Sequence, residues 1–108
     1  MNGLWTAEFG TSNGMFGGGV VTFENGKISG GDSWYYYVGE YSLNGRILRA
    51  TLRIVPFIEG AETVFKTVGR EVTLELEGNL VDENHATGQG RAREVPDIKF
   101  GVKLTKKV

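Results

Sequence analysis

Hydrophobic and polar side chains alternate with a period of two through most of this chain, the spacing of strands with one buried and one wet face. Gly3 to Phe9 sets Trp5, Ala7 and Phe9 against Leu4, Thr6 and Glu8. Thr11-Ser12-Asn13-Gly14 makes a turn, and Met15 to Glu24 forms a second strand softened by Gly17, Gly18 and Gly19. Asn25-Gly26 is a strong hairpin signal, because both central residues of a type I′ turn need positive φ. A short strand, Lys27 to Ser29, leads to a turn at Gly30-Gly31-Asp32. Ser33 to Leu43 is an aromatic strand, and a second hairpin signal, Asn44-Gly45, opens Arg46 to Pro56. There Leu48, Ala50, Leu52 and Ile54 oppose Arg49, Thr51, Arg53 and Val55, the cleanest alternation in the chain. Further on, Val72, Leu74 and Leu76 alternate with Glu71, Thr73, Glu75 and Glu77, and Gly78 to Asn84 reads as a turn region. His85 to Arg93 and a last strand carrying Ile98, Phe100, Val102 and Leu104 complete the pattern. Only Phe57 to Gly69 resists assignment: Val64, Phe65 and Val68 fit one turn of helix or a bent strand equally well.

About eight strands joined by short turns predict an all-β fold, a single closed or nearly closed antiparallel up-and-down barrel. Successive hairpins favour pairing between neighbours over Greek-key crossing, and closure removes exposed edges. A two-sheet sandwich is the structural alternative. The 108 residues form one domain, 1–108, large enough for a core without disulfides or metal. Glycine weakens a strand unless the sheet bends sharply or another group approaches closely, so Gly17 to Tyr41, rich in glycine, implies a tightly coiled sheet.

The interior follows from the alternation. Ala86, Gly88, Gly90 and Ala92 share one face, and Gly17 and Gly19 leave a similar low wall on the second strand. Either aromatic neighbours fill that space, or the barrel is partly hollow and holds an apolar ligand. Trp5, Tyr35, Tyr37 and Tyr41, with Gly17, Gly19, Gly88 and Gly90, are the residues expected to line it. If the tyrosines at 35, 37 and 41 face inward, Trp34, Tyr36 and Val38 face outward, an apolar group typical of interfaces. The alternative is that Phe57 to Gly69 covers them.

Composition narrows the chemistry. Twelve basic and thirteen acidic residues nearly cancel, which argues against direct binding of nucleic acid or a membrane surface. Hydrophobic residues at 40% and charged residues at 23% fit a soluble globular protein. Met1 to Gly10 carries neither a basic n-region nor an apolar h-region, and with no cysteine the expected address is the cytoplasm. The one histidine, His85, lies in a polar turn and is expected to be solvated; no metal site, cofactor or catalytic residue is expected. Glu71, Glu75 and Glu77 read as a wet face, and Ser29, Ser33 and Ser42 lack an activating base. The glycine runs lack the strand–GxGxxG–helix context of a nucleotide site, and the cations near the C-terminus read as solubility.

Two motifs carry a resemblance. Gly3-Leu4-Trp5 resembles the G-x-W opening of lipocalin and avidin (calycin) barrels. Gly17-x-Gly19, Asn25-Gly26, Ile28, Gly30-Gly31-Asp32, Tyr36-Tyr37, Gly39 and Tyr41 together resemble the GrlR-like family, named for a negative regulator of type III secretion genes. The likeness continues less distinctly through Ala50, Arg53, Val64-Phe65, Leu74-x-Leu76-x-Gly78 and Gly88. It implies a small dimeric lipocalin-like barrel, not an enzyme, that regulates transcription by binding a protein partner. In the named regulator an acidic loop after the aromatic strand contacts an activator; here Leu43-Asn44-Gly45-Arg46 is a plain turn. The expected function is thus a non-enzymatic protein-interaction module and homodimer. The rival is a carrier or sensor of a small lipid-like molecule.

Overall fold

The structure, a computed structural model, describes residues 1–65 and 69–108. Eight antiparallel strands follow one another around a closed barrel: β1 (Gly3–Thr11), β2 (Phe16–Glu24), β3 (Lys27–Gly31), β4 (Tyr35–Asn44), β5 (Ile47–Pro56), β6 (Val72–Asp82), β7 (His85–Ala92) and β8 (Phe100–Lys106). No helix occurs among the described residues. Each strand pairs with its sequence neighbours, and β8 closes on β1 through pairs such as Ala7 with Leu104. Closure leaves no free edge and rules out the two-sheet sandwich.

The alternation survives as the inside and outside of the barrel. Along β5, Leu48, Ala50, Leu52 and Ile54 are buried while Arg49, Thr51 and Arg53 are exposed. Each large apolar side chain taken fully inside contributes roughly 1.5–3 kcal/mol. On the outer wall, Glu71, Glu75 and Glu77 reach Arg53, Arg93 and Arg49 at 2.8, 2.8 and 3.2 Å.

Glycines let the sheet coil. At Gly39 an added Cβ would lie 2.0 Å from the Thr51 carbonyl oxygen, and at Gly90 it would lie 1.8 Å from that of Glu75. The neighbouring strand occupies the space a side chain would need, so these positions accept only glycine.

Several boundaries differ from the sequence-based expectation. β3 continues through Gly31, because Gly30 and Gly31 pair with Val21 and Val20; the turn begins at Asp32, and the aromatic strand begins at Tyr35 rather than Ser33. Asn25 and Gly26 take the expected positive φ, 48° and 84°. The next hairpin turns one residue later than expected, at Gly45-Arg46, which sets Leu43 opposite Leu48. Gly78 does not end its strand: β6 runs on to Asp82, with Asn79 paired to both Ile47 and Thr87. The last strand starts at Phe100, leaving Ile98 in the preceding turn. Between Phe57 and Gly69 the described residues form turns and one isolated bridge, neither a helical turn nor a continuous strand. Ala61 and Phe65 from this segment are buried, and Val68 lies outside the described residues.

Candidate functional site

The two ends of the barrel differ in filling. One end, the floor, carries the three tight hairpins and both chain termini. There Trp5 is 0% exposed, with its ring edge-on to Phe23 at 5.9 Å, and Phe23 is edge-on to Tyr41 at 5.1 Å. The Trp5 Nε1–H donates to the Met1 carbonyl at 3.0 Å, and the Tyr41 hydroxyl donates to Asn2 Oδ1 at 3.3 Å.

Above this floor lies a cavity of about 550 Å³. Ala7, Val21, Ile28, Ala50, Leu52 and Leu74 are among its walls, and small side chains at residues 7 and 50 leave the space open. At the opposite end, the mouth, Phe16, Trp34, Glu62 and Val64 border it. The loop after β5 is fastened there: Thr11 Oγ1 and Asn13 Nδ2 both donate to the Val64 carbonyl, at 3.4 and 3.3 Å. The Phe65 ring packs against Phe100 at 5.6 Å, and Phe100 packs against Phe9 at the same distance.

Of the residues expected to line an interior site, Gly17, Tyr35, Tyr37 and Gly88 border the cavity. Trp5 and Tyr41 belong to the floor. Gly19 lies beneath Tyr37, whose hydroxyl would sit 2.7 Å from an added Cβ, and Gly90 faces the backbone of β6. The interior is therefore neither wholly filled nor wholly hollow: aromatics occupy the floor, and the space above them is open.

Two carboxylates, Asp32 and Glu62, join the tyrosines at the mouth, and neither is among the residues expected to line the site. Asp32 Oδ1 accepts the backbone N–H groups of Trp34 and Tyr35, at 2.9 and 3.0 Å. Its other oxygen accepts the Tyr37 hydroxyl. Glu62 borders the cavity beside them. Burial, reinforced by the Asp32 and Glu62 charges, pushes the Tyr35 hydroxyl up to about 12. Burial and the bond to Asp32 push Tyr37 in the same direction. Both phenols are neutral at ordinary pH. Tyr35 is only 8% exposed, and its hydroxyl has no hydrogen-bond partner among the described residues. Asp32 had a legible signal as a turn residue after two glycines, but period-two reading does not show that it reaches Tyr37. Glu62 falls in the one segment without a pattern.

The outward aromatics are placed differently. Trp34 is 48% and Tyr36 41% exposed, and Val38 is half-buried. The loop after β5 leaves Trp34 and Tyr36 partly open, and its own Phe57 and Ile58 add exposed apolar surface. Tyr36 lies in a cross-strand row with Val20, Gly31 and Val55. His85 sits at the floor end, half-exposed, with Nδ1 2.8 Å from Asp82 Oδ1. The Asn84 backbone N–H, then His85, hold the Asp82 carboxyl below its usual range. No group of three or more potential metal ligands occurs among the described residues.

An eight-stranded antiparallel barrel with an apolar interior cavity is an up-and-down barrel of the kind that encloses ligands in some proteins and a packed core in others. No family model matches the chain, and no curated protein matches it. Among solved structures a redesigned β-barrel is similar, with a TM-score of 0.72 at 11% identity over 99% of this chain and 91% of that one. At that identity the likeness establishes the barrel fold alone.

Proposed function

We propose that this chain is a non-enzymatic binding barrel that takes a small apolar ligand into its interior. The observation that carries this reading is the cavity of about 550 Å³, walled mainly by aliphatic and aromatic side chains. Small-molecule sites typically enclose roughly 300–1,000 Å³ and are lined in this way. An apolar cavity favours an apolar guest over water, which would find few polar partners there. Native mass spectrometry of protein purified gently from cells, paired with titration of the neutral dye Nile red, tests it. An adduct or saturable dye uptake is expected; a clean apo mass together with no saturable uptake would remove the reading.

A second reading is recognition of a protein through the outer wall. The motifs that resemble the GrlR-like family support a dimeric barrel that regulates transcription negatively through a protein partner. The structural feature favouring this is the exposed group of Trp34, Tyr36 and Val20. Its expected occupant is a second copy of this chain. Sedimentation at micromolar concentration should then show a dimer that Trp34→Ala with Tyr36→Ser dissociates, and a monomeric wild type would count against it. The readings are compatible, since Trp34 belongs both to this surface and to the border of the cavity.

A further inference from the structure

We propose that residues 16–19 of β2 accept a short extended segment of a protein partner as an added strand beside the mouth of the barrel. This goes beyond both readings above and holds whether or not a free molecule fills the cavity.

Closure gives every strand two neighbours, yet unequal strand lengths leave a notch. β3 has 5 residues, whereas β2 has 9 and β4 has 10. β2 pairs with β1 from Phe16 onward, but its pairing with β3 starts only where Val20 meets Gly31. Beyond Gly31 the chain leaves the sheet in a turn that satisfies its own polar groups. The Asp32 N–H donates to the Tyr35 carbonyl at 3.0 Å, and Asp32 Oδ1 accepts the Trp34 N–H at 2.9 Å. Among the described residues no turn or loop backbone bonds to residues 16–19, and Phe16, Gly17 and Gly18 are exposed. In an antiparallel ladder every second residue turns both its backbone groups away from a given neighbour. Part of this stretch therefore offers N–H and C=O groups to the notch rather than to β1.

The residues around the notch suit a strand. Proteins usually blunt such margins with lysine, proline or a bulge, but here the sequence is Phe16, Gly17, Gly18 and Gly19. Gly17 and Gly18 border the cavity, as do Ser33 and Trp34 of the turn. A side chain on the added strand can thus enter the cavity where β2 supplies none. The segment expected has apolar side chains at alternate positions, with main-chain hydrogen bonds giving affinity and the cavity giving specificity. It needs only the line that a longer β3 would occupy. A second copy would have to bring a whole barrel past the exposed rings of Phe16 and Trp34.

Amide hydrogen exchange of the full chain, followed by NMR and corrected for intrinsic rates, reads the notch directly. Alternate amides within residues 16–19 should exchange about tenfold or more faster than those of residues 20–23. Hexapeptides selected from a random display library and resynthesised with blocked ends are the probes. A bound peptide should slow the same fast amides by about tenfold or more. N-methylation of its alternate amides in one register should weaken binding by about tenfold or more, the loss of about two hydrogen bonds, and in the other register by less than about threefold. Uniformly slow amides in the free chain, no enriched peptide, or equal losses from both registers would overturn the proposal. Protection of residues 16–19 that rises with protein concentration alone would give the notch to a second copy and overturn it too. Nile red uptake is measured separately, so the cavity reading stands or falls on its own.

Discussion

At the floor of the barrel Trp5 is fully buried and its polar atom is paired, whereas at the mouth Tyr35 is almost as buried and its hydroxyl has no partner among the described residues. Both residues occupy inward positions on one sheet, Trp5 on β1 and Tyr35 on β4. At the floor, rings meet edge to face and the polar tips reach the N-terminal segment. Toward the mouth the interior opens into an apolar cavity, with carboxylates and phenols at its border. A filled and satisfied end contributes mainly stability. An open end gives up some stability, and under the proposed reading it is the end that takes the guest.

The largest expected effect is at the floor. Trp5→Ala should destabilise by about 3–5 kcal/mol, as deletion of a buried large aromatic does, through lost burial and the cavity it leaves. That is a large share of the roughly 5–15 kcal/mol available to a domain. Urea denaturation followed by circular dichroism measures it. A loss below about 1 kcal/mol, the usual scale of a surface change, would mean that the floor is not the packed end.

A matched pair of insertions sharpens the contrast. Ala86 is buried and lies outside the cavity lining, whereas Ala7 borders the cavity. Ala86→Leu should cost about 1–3 kcal/mol through overpacking. Ala7→Leu projects into open space, so it should cost less and should also reduce uptake of Nile red. Equal losses from the two, with dye uptake unchanged by either, would mean that the two regions are packed alike.

Legibility followed the same division. The strands could be read because charge and bulk alternate so cleanly, most of all at Leu48 to Ile54. Asn25-Gly26 was readable because its turn demands positive φ from adjacent residues. Glycine was ambiguous elsewhere. Gly45 opens a turn, but Gly78, which resembles it in sequence, sits inside β6 because the strand beside it crowds its backbone. Whether a glycine ends a strand or kinks it depends on the neighbouring strand, which local sequence does not contain. The cavity was visible as a deficit of volume at Gly17 and Gly88, yet its extent depended on how Phe9 and Tyr37 lie across the glycines of β2. The acidic mouth depended on a loop returning to β4 from Glu62, a contact that no periodicity predicts.

The smallest effect separates the ends by titration. An unfolded tyrosine loses its proton near 10.0, while in the folded barrel Tyr35 holds its proton up to about 12. Between these values the unfolded chain ionises and the folded chain does not, so the equilibrium moves toward unfolding. The stability associated with this group is complete below pH 10 and is lost as pH rises to about 12, and the upward shift of Tyr37 acts in the same direction. Urea midpoints should therefore fall across that interval, and Tyr35→Phe should make the fall shallower than in the wild type. Trp5 and Phe23 have no proton to lose there, so a reduced slope in Tyr35→Phe reports on the mouth. Identical slopes for the two proteins would show that Tyr35 is as well solvated as a free phenol, and the case for an unmet hydroxyl beside the cavity would fail with it.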